Sequence, residues 1–137
     1  LTQLRAFAAA YPAPLSLYGD DAYGASLVGT IIANQFLAVA EDESGQSVGF
    51  IAGAYGTHPY NPSLNICSEL WWWVVPEHRG GRAGVLLLRE LEHWADTLDA
   101  PLCLTVETDS PVSDRFLAKH GFVPAERQFI RMPGGIA

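Results

Sequence analysis

The stretch from Asn65 to Val106 constrains the fold most. Leu64, Ile66, Leu70, Trp71, Trp72, Trp73, Val74 and Val75 are β-formers that make Asn65–Val75 a strand, and Pro76 stops it. A glycine-rich turn, Arg79-Gly80-Gly81-Arg82-Ala83-Gly84, comes next. Gly84, Leu87, Leu88, Leu91, Trp94, Ala95 and Leu98 then fall at i, i+3, i+4, i+7, with Arg89, Glu92 and Asp96 off that face. This spacing predicts an amphipathic helix, ended at Asp99-Ala100-Pro101. Leu102–Val106 returns to a strand pattern. A strand, a crossover helix and a second strand predict a parallel pair, and the remaining elements must assemble around it.

The flanking chain supplies those elements. Residues 3–11 and 20–33 are Ala- and Leu-rich at helical spacing, separated by Tyr11-Pro12-Ala13-Pro14 and capped at Asp20 or Asp21. Gln35–Ala40 and Val48–Tyr55 are expected strands around the turn Glu41–Gln46, and Gly56–Ser63, with two prolines, an expected loop. Asp114–His120 is a short helix closed by Gly121, with final strands at Phe122–Val123 and Arg127–Met132. The result is a mixed α/β (α+β) pattern without repeats or a linker.

Composition narrows the function classes. A chain of 137 residues, 49% hydrophobic, suits one domain with a real core. Its apolar runs, such as Val85–Leu88, are far shorter than the roughly 20 residues of a spanning helix, so no membrane association is expected. The formal charge of −7 opposes nucleic acid as a partner. Cys67 and Cys103 lie in apolar runs and are expected as buried free thiols in a reducing cytoplasm, not a disulfide framework. His78, His93 and His120 share no metal-ligand spacing with each other or with the cysteines, so no metal site is expected.

Charge is placed unevenly. Residues 1–78 hold one base, Arg5, against seven acids, whereas seven bases begin at Arg79. Cations therefore start beside the glycine turn. At such a strand-to-helix junction the first helical amides lack partners and the helix dipole places partial positive charge there. Glycines let a ligand approach, Arg79 and Arg82 add full charge, and the expected guest is an anion, most naturally a phosphate. No Lys-Ser/Thr follows the glycines, so the turn is not a P-loop, and its spacing is not that of a dinucleotide fingerprint.

The run Val-x-Pro-Glu-x-Arg-Gly-Gly-Arg-Ala-Gly, then Leu-Leu-Leu, a strand and Phe-Leu-Ala-Lys-His-Gly-Phe, resembles the GNAT superfamily of N-acetyltransferases. The resemblance is specific in two blocks, 69–95 and 104–123. It implies a mostly antiparallel mixed sheet, splayed between two parallel central strands at 65–75 and 102–107, with helices on both faces. It also implies acetyl-CoA as co-substrate. Trp73, Val74 and Val75 would form the strand edge that pairs with the pantetheine arm. The amides of Arg79, Gly80, Gly81, Arg82, Ala83 and Gly84 would hold the diphosphate, and Asp109 falls where the family often has an Asn near the cofactor arm. Arg82 stands where the family usually has Gly. The family begins with a strand before its first helix, and this sequence starts after that point.

Transfer from a thioester to an amine needs a group that takes the amine's proton. Glu69, an acid in an otherwise apolar strand ten residues before Arg79, is the first candidate, against the plainer role of a solvated strand-end carboxylate. By simple alternation Glu69 shares a face with Trp71, Trp73 and Val75, and a bulge would swap that parity. His58, in the preceding loop, is the second candidate. The resemblance puts Phe116 where the family has a Tyr acid, so Tyr60, Ser110 or Ser113 would have to donate, or the thiolate would leave unaided. The consecutive tryptophans are expected in the core rather than stacked on a ligand. The acidic first half favours a cationic acceptor, a small-molecule or peptide amine. A homodimer is expected to form, if at all, through the final strands.

Overall fold

The computed structural model describes residues 1–10, 20–131, 133 and 134. The Tyr11-Pro12-Ala13-Pro14 break and Met132 lie outside the described residues. Two compact units are present: one holds residues 1–10 and 20–105 of those described, the other the described residues from Val106 onward.

The first unit contains helices α1 (Thr2–Ala10) and α2 (Asp21–Asn34), strands β1 (Phe36–Glu41), β2 (Ser47–His58) and β3 (Asn61–Val74), helix α3 (Ala83–Thr97) and strand β4 (Leu102–Cys103). The sheet order is β1-β2-β3-β4, antiparallel except for the last pair, which is parallel as the crossover requires. Alternation along the strands sorts side chains into two layers. Leu4 and Phe7 of α1 pack with Phe50 and Trp73 on one face, joined by Val28, Leu37 and Trp71. Leu87 and Leu91 of α3 pack with Ile51 on the other, joined by Trp72, Val74 and Trp94. The three tryptophans thus divide between the layers. Edge-on ring contacts bind the first layer, Phe7 to Trp73 at 6.2 Å and Phe50 to Trp71 at 6.3 Å.

Helix α3 lies this close to the sheet because β2 is glycine-bearing there. A Cβ on Gly53 would stand 2.7 Å from Leu91 Cδ1 and 2.8 Å from Trp94 Cζ3. The helix ends with Asp99 at φ 50 and the Ala100 N–H on Ala95 O, before Pro101.

Two expectations change in this unit. The loop at 56–63 contracts to a tight hairpin, because His58 already pairs with Asn61 and leaves only Pro59 and Tyr60 between them. Side chains stabilise that turn: His58 Nδ1 accepts from Tyr60 N and Asn61 Oδ1 from Ser63 N, both at 3.1 Å. The strand at 102–106 pairs at Leu102 and Cys103 only.

In the second unit, α4 (Asp114–Lys119) starts on Ser113, whose Oγ accepts from Phe116 N, and ends at Gly121 with φ 85. The final strands at 122–123 and 127–132 do not form among the described residues. Phe122 N–H is taken by Leu117 O in the helix-end motif, and Pro124 has no N–H to give. Phe129 is 82% exposed, so the segment has no buried face to fix a register.

Candidate active site

The site grows out of the way β3 ends. Trp73 pairs with Phe50 and Val74 with Gly49, after which Val75 leaves the ladder while still giving its N–H to Val48 O at 2.9 Å. Val75 precedes a proline and is extended, at φ −56 and ψ 140. Pro76–His78 then make one 3-10 turn, closed by the N–H groups of His78 and Arg79 on the carbonyls of Val75 and Pro76. Gly80 sits at φ 78, a conformation costly for any residue with a Cβ. By contrast a Cβ on Gly84 would meet nothing nearer than 3.8 Å, so that position needs no glycine for packing.

Arg79 and Arg82 have different tasks. The Arg79 Nε donates to Val74 O at 2.9 Å and the guanidinium lies 4.6 Å from the centre of the Trp73 ring. This side chain braces the turn against the strand by a hydrogen bond and a cation–π contact. Arg82 is the N-cap residue of α3 and is exposed; the helix start receives no side-chain cap and has no acid in its first turn. The first amides of α3 and the Arg82 charge together make a site suited to a diphosphate. Gly80, Gly81 and Ala83 complete the bend, and the residues present fit that group.

Glu69 stands where the sheet opens. Cys67 pairs with Leu102 and Ser68 with Cys103, and beyond these two positions β3 and β4 pair no further. The half-buried Glu69 carboxylate spans the divergence: its Oε2 accepts from Thr105 N at a long 3.4 Å. A bulge also lies here. Ala52 pairs with Trp71 and Gly53 with Glu69, leaving Leu70 as the extra residue. Glu69 is therefore in register with Gly53, which faces α3, and out of phase with Trp71 and Trp73. Simple alternation put it on their face.

His58 is not brought to Glu69. It lies at the hairpin end of β2, five residues beyond Gly53, which is roughly 17 Å along a strand. Its Nδ1 serves the turn, and its ring stands 5.8 Å from that of Tyr60. Asp109 belongs to the second unit, exposed in a turn closed by Ser110 N–H on Glu107 O at 3.0 Å. Phe116 is half-buried there, its ring 4.7 Å from His120. Ser110 and Ser113 use their Oγ atoms to accept backbone N–H groups.

Cys67 is buried and Cys103 exposed, both as free thiols. Burial, with Cys103 nearby, pushes the Cys67 thiol up, so it stays protonated and unreactive. Among the described residues no three His, Cys, Asp or Glu side chains gather as metal ligands, and no helix is long and apolar enough to cross a membrane.

The turn is legible in the sequence, but a partner of Glu69 and a partner of Arg79 are not. The amide of Thr105 has no local signal, because its contact with Glu69 exists only across β3 and β4. The Arg79–Trp73 contact spans a turn whose path no periodicity describes.

The family model of the acetyltransferase (GNAT) family matches residues 4–122. Solved structures agree on the fold. A ribosomal-protein-alanine N-acetyltransferase from Brucella melitensis biovar Abortus 2308 is 22% identical, with 96% of this chain and 89% of that one covered at a TM-score of 0.68. A putative acetyl transferase from Pyrococcus furiosus is 22% identical over 91% of this chain and 84% of its own, TM-score 0.66. A transcriptional regulator from Bacillus halodurans C-125 reaches a TM-score of 0.72 at 17% identity, covering 95% and 90%. No curated protein matches by sequence. With its splayed strands, its open helix start and a family match over most of its length, the chain belongs to the GNAT acetyltransferase family.

Proposed function

We propose that the protein transfers an acetyl group from acetyl-CoA directly to a primary amine. The observation that carries this reading is the divergence of β3 and β4 after Ser68 and Cys103, with Glu69 at its start, on the same strand that leads into the uncapped start of α3. Acetyl-CoA supplies an activated thioester carbonyl. The diphosphate would rest on the α3 amides beside Arg82, and the pantetheine arm would run along the edge at Trp73, Val74 and Val75 between the separating strands.

The acceptor nitrogen bonds to the thioester carbon, the C–S bond breaks, and the Glu69 carboxylate takes the amine's proton, directly or through a water. A thiol with a pKa of about 8.5 leaves as thiolate near neutral pH without an obligatory acid. That accommodates Phe116, which has no proton to donate. The acidic first half of the chain favours a cationic acceptor, a small amine or a peptide amine.

Glu69→Gln tests the assignment. Turnover is expected to fall by about 10²–10⁴ with acetyl-CoA affinity unchanged, since the carboxylate acts on the proton and not on the diphosphate. Unchanged turnover would transfer the role to water. One observation favours a second reading: Phe116 at the usual Tyr position suits a CoA-binding regulatory domain. That reading predicts acetyl-CoA binding with no product formed across an amine panel.

A further inference from the structure

The outer half of the β2–β3 hairpin projects past its neighbours. Strand β1 pairs with β2 only as far as Gly53, and β4 meets β3 only at Cys67 and Ser68. Beyond those positions, 54–58 and 61–66 have only each other as ladder partners among the described residues. A two-stranded ribbon is marginal in water unless something packs on it. Here Thr57 Oγ1 donates to Asn65 Oδ1 at 3.3 Å across the ribbon, and the turn bonds of His58 and Asn61 fix the tip. Tyr60, in that tip, is 92% exposed.

Two further observations mark the ribbon as a contact surface. No Asp, Glu, Lys or Arg occurs from Ser44 through Ser68, in a chain that is 17% charged. Exposed strands ordinarily carry charge that keeps other chains away. The second observation is Gly56. It pairs in register with Ile66, has no positive φ, and is exposed, and a Cβ there would meet nothing within 4 Å. Neither backbone conformation nor packing within one chain calls for a glycine, which weakens a strand. A strand glycine of this kind suits the close approach of another chain. Alternation from Gly53 puts Gly56 on the face turned away from α3.

We propose that this ribbon binds a second copy of the chain about a two-fold axis, with Tyr60 of each copy seated over Gly56 of the other. Tip and notch are four residues apart on one ribbon, roughly 13 Å, and one two-fold axis satisfies both contacts. Charge selects this occupant. Each copy carries −7, so two copies repel wherever acids face each other, and the ribbon lets them touch without that cost. A basic partner would find no carboxylate on the ribbon to pair with. Pro62 and the register shift between Thr57 and His58 oppose strand addition, so the contact is made by side chains on an open face. The ribbon supplies about half of the 20–30 residues of a standard interface, so the dissociation constant is expected on the order of 10–100 μM. The surface goes beyond the acyl-transfer reading and stands whether or not an amine is acetylated.

The test is sedimentation velocity of the whole protein from about 5 to 500 μM, with amide chemical shifts recorded over the same dilution series. The sedimentation coefficient is expected to rise with concentration, and the shifts to gather in 54–66. Gly56→Val fills the notch and gives the strand a better β-former. It is expected to weaken self-association by roughly tenfold while raising the thermal midpoint measured at the dilute end. Tyr60→Ser, at a side chain with little to lose within one copy, is expected to weaken association by about fivefold or more and leave that midpoint unchanged. A monomer at every concentration would overturn the proposal. So would a dimer that keeps its affinity in both variants, or one whose shifts lie outside the ribbon.

Discussion

Helices α2 and α3 begin in opposite ways. At α2, Asp20 is extended and its Oδ1 accepts from Tyr23 N at 2.8 Å, while Asp21 adds a second carboxylate in the first turn. That end of the helix is closed by its own sequence, and Asp21 also pairs with Arg5 of α1. At α3 the N-cap is Arg82, the first turn holds no acid, and no side chain accepts from the helix start. A carboxylate in that place would gain about 0.3–1 kcal/mol from the helix dipole, but residue 82 is already helical at φ −85 and ψ −21 and does not cap as the extended Asp20 does. A cation there forgoes that gain, and no side chain caps the start. The difference separates a helix start closed by its own sequence from one whose sequence leaves it without a side-chain acceptor.

The contrast can be broken from either side. Arg82→Asp puts a carboxylate at the start of α3, as Asp21 does in the first turn of α2. Acetyl-CoA affinity is expected to fall by roughly 2–3 kcal/mol, since a carboxylate replaces a cation beside the amides. Thermal stability should rise by a few tenths to about 1 kcal/mol, from the carboxylate at the positive end of the helix dipole. The two shifts have opposite signs, which a merely damaging substitution does not produce.

Gly80→Ala attacks the turn that aims the helix start. Its φ of 78 makes the substitution costly by about 1–2 kcal/mol, read as a lower denaturation midpoint, with weaker acetyl-CoA binding alongside. Asp20→Ala opens α2 instead: stability should drop by about 1 kcal/mol while acetyl-CoA affinity stays as it was.

The smallest effect concerns pH. Asp42 resembles Asp20 in that its carboxylate serves neighbouring groups. Ser44 Oγ donates to its Oδ1 at 2.6 Å and Gln46 N at 3.0 Å, and these bonds hold its pKa below the ordinary 3.8. A lowered folded pKa stabilises above the unfolded value, and that contribution disappears as pH falls from about 3.8 through the lower folded value. Protection of the Ser44 and Gln46 amides, exchange being taken relative to the intrinsic rate at each pH, should fall over that range and stay constant above it.

Local chemistry was legible in the sequence where it is sufficient by itself. The apolar spacing from Leu87 to Ala95 defined the buried face of α3, Asp20 its cap on α2, and Pro76 with Gly80 the turn. What depends on pairing was not legible. The face of Glu69 turns on the extra residue Leu70, which exists only relative to β2. The segment 127–131 has strand composition but no partner among the described residues, so propensity alone overstated it. The bracing of the turn by the Arg79 side chain, on Val74 O and the Trp73 ring, likewise exists only across the fold.

The most direct test is calorimetric titration of the wild type and Arg82→Asp with acetyl-CoA, with thermal denaturation of both proteins in the same buffer. The account predicts micromolar binding by the wild type, a loss of tenfold or more in the variant, and a variant at least as stable as its parent. Equal affinity in two folded proteins, or no binding by the wild type, would contradict the assignment of the α3 start as the diphosphate site.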